Sequence, residues 1–364
     1  MRILYFGVHA MLEHDEIGLF AAMGHEVFSL GSYFGYTPET HHGAHDGRMP
    51  LAWRAPADLM ALFHASGCAL SATNVTEHVV TPAFIDAFDV VVIVHDAHFI
   101  RRNWATLSRR PVIWRTIGQC IYEFDPLLRP LRHQGLRIVR YAPTERRTRH
   151  YIGADAVIRF FGAPERHPPW HGSDAVVFAA VNHYVQRYPH EYQAFRASLE
   201  GIPYQLAGDG NDGLINATGF ITGAALLHRL AASRAYFHCA GLHVPYTLGF
   251  IDAWTAGIPL VAYDDRRMTV YYGRDFSEAR GLIHHGRDGF RAVTAKAARE
   301  VFRSLLAEPA MAAAVGAAGR ARAAEIFSRA RAAAQWGAML DRAVAEHGRP
   351  RGLRGAIRRV FGGR

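Results

Sequence analysis

HVPYTLGFIDAWTAGIPLVA, residues 243–262, reads as a loop, a helix and a buried strand in succession. Tyr246-Thr247-Leu248-Gly249 is the loop, and Gly249 permits close approach of backbone to a ligand. Phe250 to Thr255 is apolar on one side and passes through Gly257-Ile258-Pro259 into the strand Leu260-Val261-Ala262. A helix entered this way aims unpaired N–H groups and the positive end of its dipole at the loop, which suits a phosphate. Asp252 is expected on the first helical turn, within reach of ribose hydroxyls. An ordinary αβ connection with a Gly-Pro turn accounts for the local spacing equally well, so the surroundings must decide.

Working outward, strands and helices alternate along nearly the whole chain. Arg2 to Gly7 reads as a strand, Glu13 to Met23 as a helix stopped by Gly24, and Glu26 to Leu30 as the next strand, a βαβ arrangement. Val90 to Val94 and Pro111 to Arg115 are continuous apolar runs, the signature of strands buried on both faces of a doubly wound sheet. Residues 34–55 form a long loop at the mouth of that sheet. A Pro-rich connector runs from Ala163 to Gly172, and then the alternation restarts. Ala175 to Ala180 and Tyr204 to Ala207 are strands, the second ended by Gly208-Asp209-Gly210. Glu191 to Leu199 and Ala224 to Ser233 are helices, and Ala235 to His238 is a short strand before the opening stretch. Alanine-rich helices follow at Ala295 to Leu306 and Ala310 to Phe327. The expected division is residues 1–165, residues 172–330, a closing helix over 331–348 and a tail over 349–364. The fold class is α/β, two Rossmann-like doubly wound domains facing a central cleft, and ligands of open parallel sheets bind at such C-terminal edges.

Composition narrows the chemistry. The 364 residues are ample for two domains, and with half of them hydrophobic and a fifth charged the chain has a globular profile. No run approaches the ~18 to 20 apolar residues that span a bilayer. The N-terminus reads as a first strand rather than a secretory signal. Cys68, Cys120 and Cys239 lack metal-ligand spacing, which fits a reducing cytoplasm. The net charge of +9 is concentrated after Gly348, where six arginines (349, 351, 354, 358, 359 and 364) meet no acid. The rest is nearly balanced, so no nucleic-acid partner is expected. Lys296 is the only lysine, which excludes a P-loop and disfavours Schiff-base chemistry. His41, His42, His45 and Asp46, and the run His95-Asp96-Ala97-His98, raise metal-assisted hydrolysis, but neither has the spacing of a ligand set. A Rossmann dehydrogenase is weaker still, because no GxGxxG follows a strand.

The ordered set carries a resemblance: a glycine after the first strand, MGHEV at 23–27, Ala154-Asp155-Ala156-Val157-Ile158 before the linker, Gly219-Phe220-Ile221, HCAGLHVPYTLGFIDAWTAGIPLVA, and HHGRDGF at 284–290. The chain resembles, over roughly residues 1–330, retaining GT-B glycosyltransferases of the GT4 type. The resemblance implies transfer of a glycosyl group from a nucleoside-diphosphate sugar to a hydroxyl of a glycan or lipid-linked acceptor. It also implies a metal-independent site, no cofactor and a place in cell-surface polysaccharide or glycoconjugate synthesis. Of that family's paired glutamates, the ribose-holding one corresponds to Asp252. The sugar-holding one falls on Val244, which has no side-chain hydrogen bond to offer, so His243 is the nearest substitute. The family's Arg and Lys, four residues between them, correspond to Asn182 and Arg187. Arg187 is expected to stabilise charge on the departing diphosphate. Backbone at Thr247, Leu248 and Gly249 is expected to meet the pyrophosphate. His95 resembles the family's histidine near the sugar, and Gly7, His9, Thr116 and Gly118 are expected on the acceptor side. Glu123 and Glu145 are better read as solvated or salt-bridged. Two other readings share the fold: a nucleotide-sugar epimerase, and a scaffold that binds without turnover, favoured by Val244 and Asn182.

In the tail, Leu353, Ala356, Ile357, Val360 and Phe361 recur at helical spacing among arginines. A short basic amphipathic helix reads as an anchor on an anionic membrane surface, a peripheral position on the inner face. Gly352, Gly355, Gly362 and Gly363 weaken helix formation, so a disordered tail is the alternative.

Overall fold

A computed structural model describes residues 1–40, 50–118, 121–221 and 223–348. The His41–Asp46 cluster and the basic tail lie outside the described residues.

The first sheet holds β1 (Arg2–Phe6), β2 (Glu26–Ser29), β3 (Val90–Val94), β4 (Val112–Arg115), β5 (Arg137–Arg140) and β6 (Ala156–Val157). Its order is β2-β1-β3-β4-β5-β6, and every pairing is parallel. Parallel strands need crossovers, and helices on both faces supply them. The continuous apolar runs feed two cores by simple alternation. Leu4, Phe6, Val91 and Ile93 face one layer, while Ile3, Tyr5, Val90 and Val92 face the other.

The second sheet repeats the plan with β7 (Asp174–Ala180), β8 (Tyr204–Ala207), β9 (Ser233–His238) and β10 (Leu260–Tyr263). A small antiparallel hairpin, β11 (Val270–Tyr271) and β12 (Arg274–Asp275), then intervenes before the edge strand β13 (Phe290–Ala292). The order is β13-β10-β9-β7-β8, again all parallel. In each sheet the winding reverses between two central strands, β1 and β3 in the first and β7 and β9 in the second. A doubly wound sheet opens a crevice at that point.

Two features join the halves. The helix Arg329–Ala345 belongs by sequence to the end of the chain, yet it packs on the first sheet. Ala332, Trp336, Met339 and Leu340 share a core with Ile3, Tyr5, Phe20 and Val92. Conversely, Leu12, Tyr141 and Phe160 of the first domain lie in the core around Tyr236, Tyr246 and Trp254. The chain entering the linker is in close contact with the helix Leu248–Ala256: a Cβ at Gly162 would fall 2.2 Å from the Thr255 hydroxyl.

Candidate functional site

The crevice of the second sheet opens into a cavity of about 320 Å³ walled by both domains. Ala180, Val181 and Asn182 end or follow β7, and His238, Cys239 and Ala240 end or follow β9. The first domain contributes His9, Met11, Leu12 and Ile117.

One end of the cavity is a helix N-terminus. The helix spans Leu248–Ala256, and Thr247 caps it, its hydroxyl accepting from the Phe250 N–H at 3.2 Å. Gly257, with φ of 82°, ends it. The amides of Leu248 and Gly249, without intrahelical partners in a first turn, belong to residues lining the cavity. Gly249 is required sterically, because a Cβ there would sit 2.7 Å from the Tyr236 hydroxyl. Beneath the helix start lies His238, its ring 5.4 Å from Phe250 and its pKa pushed down to about 4 by burial, so it is neutral.

Opposite stands the cation. Arg187 ends the short helix Tyr184–Arg187, donates to the Tyr188 hydroxyl at 3.1 Å and lies 5.0 Å from that ring centre. No carboxylate among the described residues pairs with it. The loop that precedes it is held by its neighbour after β8. Asn211 donates to the carbonyls of Val181 (2.6 Å) and Gly208 (3.2 Å) and accepts from the Tyr184 N–H at 3.0 Å. Asn182, which lines the cavity, accepts from the Asp209 N–H at 3.0 Å, which occupies its amide oxygen. His9 faces this region from the first domain. Burial, with Arg187 close enough to add to the effect, lowers its pKa below the ordinary histidine value.

Thus Asn182, Arg187, Thr247, Leu248, Gly249 and His9 meet at one cavity. Val244 lines it as well, with only methyl groups to present. Other residues expected at the site do not line it. Asp252 falls in the second turn, because the helix starts at Leu248 and not at Phe250. Its carboxyl is pushed up to about 7 by burial and by the like charge of Asp15, with Arg166 opposing. His243 turns toward Glu191, 3.9 Å away, and packs between Tyr188 and Tyr271. His95, with φ of 67°, packs its ring on Phe124 at 4.9 Å.

Thr116 is buried and donates to Glu145 at 2.9 Å, so its hydroxyl is unavailable to an acceptor. Gly118 has φ of 77°, and a Cβ there would meet the Tyr141 hydroxyl at 2.3 Å, which makes it a packing glycine. Gly7 lies under the loop after β2, where a Cβ at Gly31 would come 2.4 Å from the Gly7 carbonyl. Glu145 is salt-bridged and fully buried: it accepts from Thr116, from the Tyr141 N–H at 3.0 Å and from Arg140 at 3.4 Å. Glu123 is exposed. The carboxylate of Asp96 caps its own helix through the Phe99 N–H at 2.8 Å and accepts from Thr76 at 3.0 Å. Among the described residues no three His, Cys, Asp or Glu side chains converge as a metal site.

The two parallel domains, the cleft between them and the returning C-terminal helix define the GT-B architecture. Solved glycosyltransferases of this shape overlay on nearly the whole chain. HepE from Anabaena, solved with UDP and glucose, is 15% identical with a TM-score of 0.63, over 94% of this chain and 100% of that one. A glycosyltransferase from Rickettsia africae is 9% identical with a TM-score of 0.62, over 94% and 98%. AviGT4, involved in avilamycin A biosynthesis, is 15% identical with a TM-score of 0.55, over 95% and 98%. No family model matches the sequence, and no curated protein matches it. At these identities the likeness defines the fold.

Proposed function

We propose that this chain is a glycosyltransferase that moves a sugar from a nucleoside-diphosphate donor to a hydroxyl of a glycan or lipid-linked acceptor. The observation that carries the reading is one cavity joining a helix N-terminus, at Thr247, Leu248 and Gly249, to a cation without a carboxylate partner, Arg187. Both features attract a diphosphate, and both act on charge as it develops on the leaving group. UDP is the first nucleotide to try, since HepE is solved with UDP and with UDP-glucose.

In this scheme the diphosphate rests on the Leu248 and Gly249 amides and Arg187 closes over it. The Asn182 NH₂ group supplies a neutral donor. Val244 leaves the sugar without a side-chain acceptor at that position, so sugar hydroxyls are read by backbone or by the first domain. Asp252 does not line the cavity, so it meets ribose only if the helix start shifts when donor enters. Helix dipole and guanidinium together carry the charge, and the reaction proceeds in EDTA.

Retention of configuration follows the GT4 resemblance. The position of His9 favours a second reading, inversion. A neutral imidazole on the first-domain wall of this cavity can take the acceptor proton as the sugar is displaced. The anomeric proton coupling of the first product formed separates the two outcomes. The basic tail, residues 349–364, is proposed to hold the enzyme on anionic lipid. Its deletion should reduce sedimentation with phosphatidylserine vesicles, and unchanged sedimentation rejects it.

The test of the main reading is turnover with UDP-, GDP-, ADP- and TDP-sugars, for wild type and Arg187→Ala. Release of nucleotide that depends on Arg187 supports it. Binding without turnover of every donor points to a scaffold, and no binding at all overturns it.

A further inference from the structure

A line of aromatic rings leaves the cavity at Arg187 and crosses to the other domain. Tyr188 lies under the Arg187 guanidinium, and its ring centre is 6.0 Å from that of His243. His243 is 5.3 Å from Tyr271, Tyr271 is 4.5 Å from Tyr272, and Tyr272 is 4.5 Å from Tyr122. The last step spans the cleft. Tyr122 opens the helix Ile121–His133 beyond the end of β4, whereas Tyr271 and Tyr272 sit on the β11–β12 hairpin beyond β10. The Tyr122 hydroxyl donates to the Tyr271 carbonyl at 3.2 Å, which fixes the junction.

The hairpin tip is unusual in its chemistry. Tyr272 and Gly273 have φ of 48° and 74°, the left-handed pair of a two-residue hairpin turn. Glycine or asparagine takes the first of those positions at lower cost than an aromatic residue. Tyr272 nonetheless stands there with 65% of its surface exposed, so the ring is neither a turn-former nor a core residue. A strained, exposed aromatic at the rim of a cleft points to a ligand.

We propose that Tyr188, His243, Tyr271, Tyr272 and Tyr122 form a binding track for the saccharide part of the acceptor, a glycan of several pyranose rings. The proposal rests on the glycosyltransferase reading and names its acceptor class. A pyranose has an apolar C–H face and a hydroxyl rim, and each ring in the line pairs an apolar face with a polar edge. Arg187, Glu191 and Arg274 flank the line with charge, which suits hydroxyls and opposes a lipid chain. The track also begins at the cation proposed to hold the leaving group, so a glycan lying on it delivers one end to the reacting centre.

Saturation-transfer NMR on the full chain with cellotriose, maltotriose, chitotriose and mannotriose tests the track. At least one trisaccharide should receive saturation from the aromatic protons of wild type. Tyr272→Gly suits the left-handed turn and removes only the ring, so it should weaken that binding about tenfold, the scale of one ring contact. Tyr122→Leu, in the other domain, should do the same, while Tyr272→Phe keeps the face and the binding. Failure of all four trisaccharides, or equal binding by Tyr272→Gly, overturns the proposal. So does a Tyr272→Gly protein that loses UDP affinity as strongly as trisaccharide affinity, because the rings would then serve the donor. If wild type binds a trisaccharide but no nucleotide, the track stands and the transferase reading fails.

Discussion

The two sheets reverse their winding in the same way, yet their crevices are used differently. At the first, polar groups are consumed internally. Glu13, buried beside Gly7, accepts from the Ser29 hydroxyl and from the Ser32 and Tyr33 amides at 2.8 and 2.9 Å. Thr116, Glu145, Arg140 and Asp125 form a closed network at the ends of β4 and β5. At the second crevice the comparable groups remain open: Arg187 without a carboxylate, two first-turn amides, and a cavity between them. Shared topology therefore supplies two candidate clefts, and hydrogen-bond accounting selects one. The first domain contributes a wall and the second the cradle.

The comparison breaks most visibly if the closed network proves dispensable. Glu145→Ala leaves Arg140 buried beside fewer charges, and urea unfolding should record a loss of about 3–5 kcal/mol. A stable variant that has lost only nucleotide affinity would move Glu145 into the site. Next comes the open side. Arg187→Ala should lower the transfer rate by roughly 10² to 10³-fold, the cost of one donor aimed at developing charge, with little change in unfolding midpoint. Retained turnover would leave the cavity without its cation's purpose.

Smaller effects sharpen the cradle. Gly249→Ala places a methyl against the Tyr236 hydroxyl and should raise the UDP dissociation constant about tenfold by calorimetry. Thr247→Ala removes the cap and should cost about 1 kcal/mol of stability in addition to weakening UDP. A pH dependence is also expected at Asp252. Its folded pKa of about 7 exceeds the ordinary 3.8, so between those values the folded chain holds a proton that the unfolded chain has released. This group's contribution to stability therefore falls as pH rises from about 4 to 7 and is flat above that. Asp252→Asn should gain on wild type at pH 8 relative to pH 5 in thermal unfolding. Parallel profiles would show that Asp252 is solvated.

Much of the architecture was legible in the sequence because continuous apolar runs leave little choice. Val90–Val94 and Tyr204–Ala207 form strands with the bounds their composition implies. The helix Ile121–His133 was not legible, since Pro126 and Pro130 interrupt its pattern. The hairpin at 270–275 gave no signal beyond Tyr-Tyr-Gly, and its non-glycine left-handed residue hides the turn. Residues placed by local chain order, Thr247, Leu248 and Gly249 at a loop-to-helix junction, Arg187 and His9, do line one cavity. Features set by packing between distant segments were not legible. Thr116 and Gly118 follow a strand end, as ligand-binding residues do, but Glu145 and Tyr141 from the next crossover fill their space. His243 sits one residue from Val244, yet Glu191 and Tyr271 turn it out of the cavity.

The central claim is that a nucleoside diphosphate binds at the crevice of the second sheet. A crystal structure of the chain soaked with UDP, or with GDP, ADP or TDP if UDP does not bind, measures it directly. The diphosphate should lie within hydrogen-bond distance of the Leu248 and Gly249 amides and of the Arg187 guanidinium. A diphosphate found instead at the first crevice, beside Gly7 and His95, would contradict it.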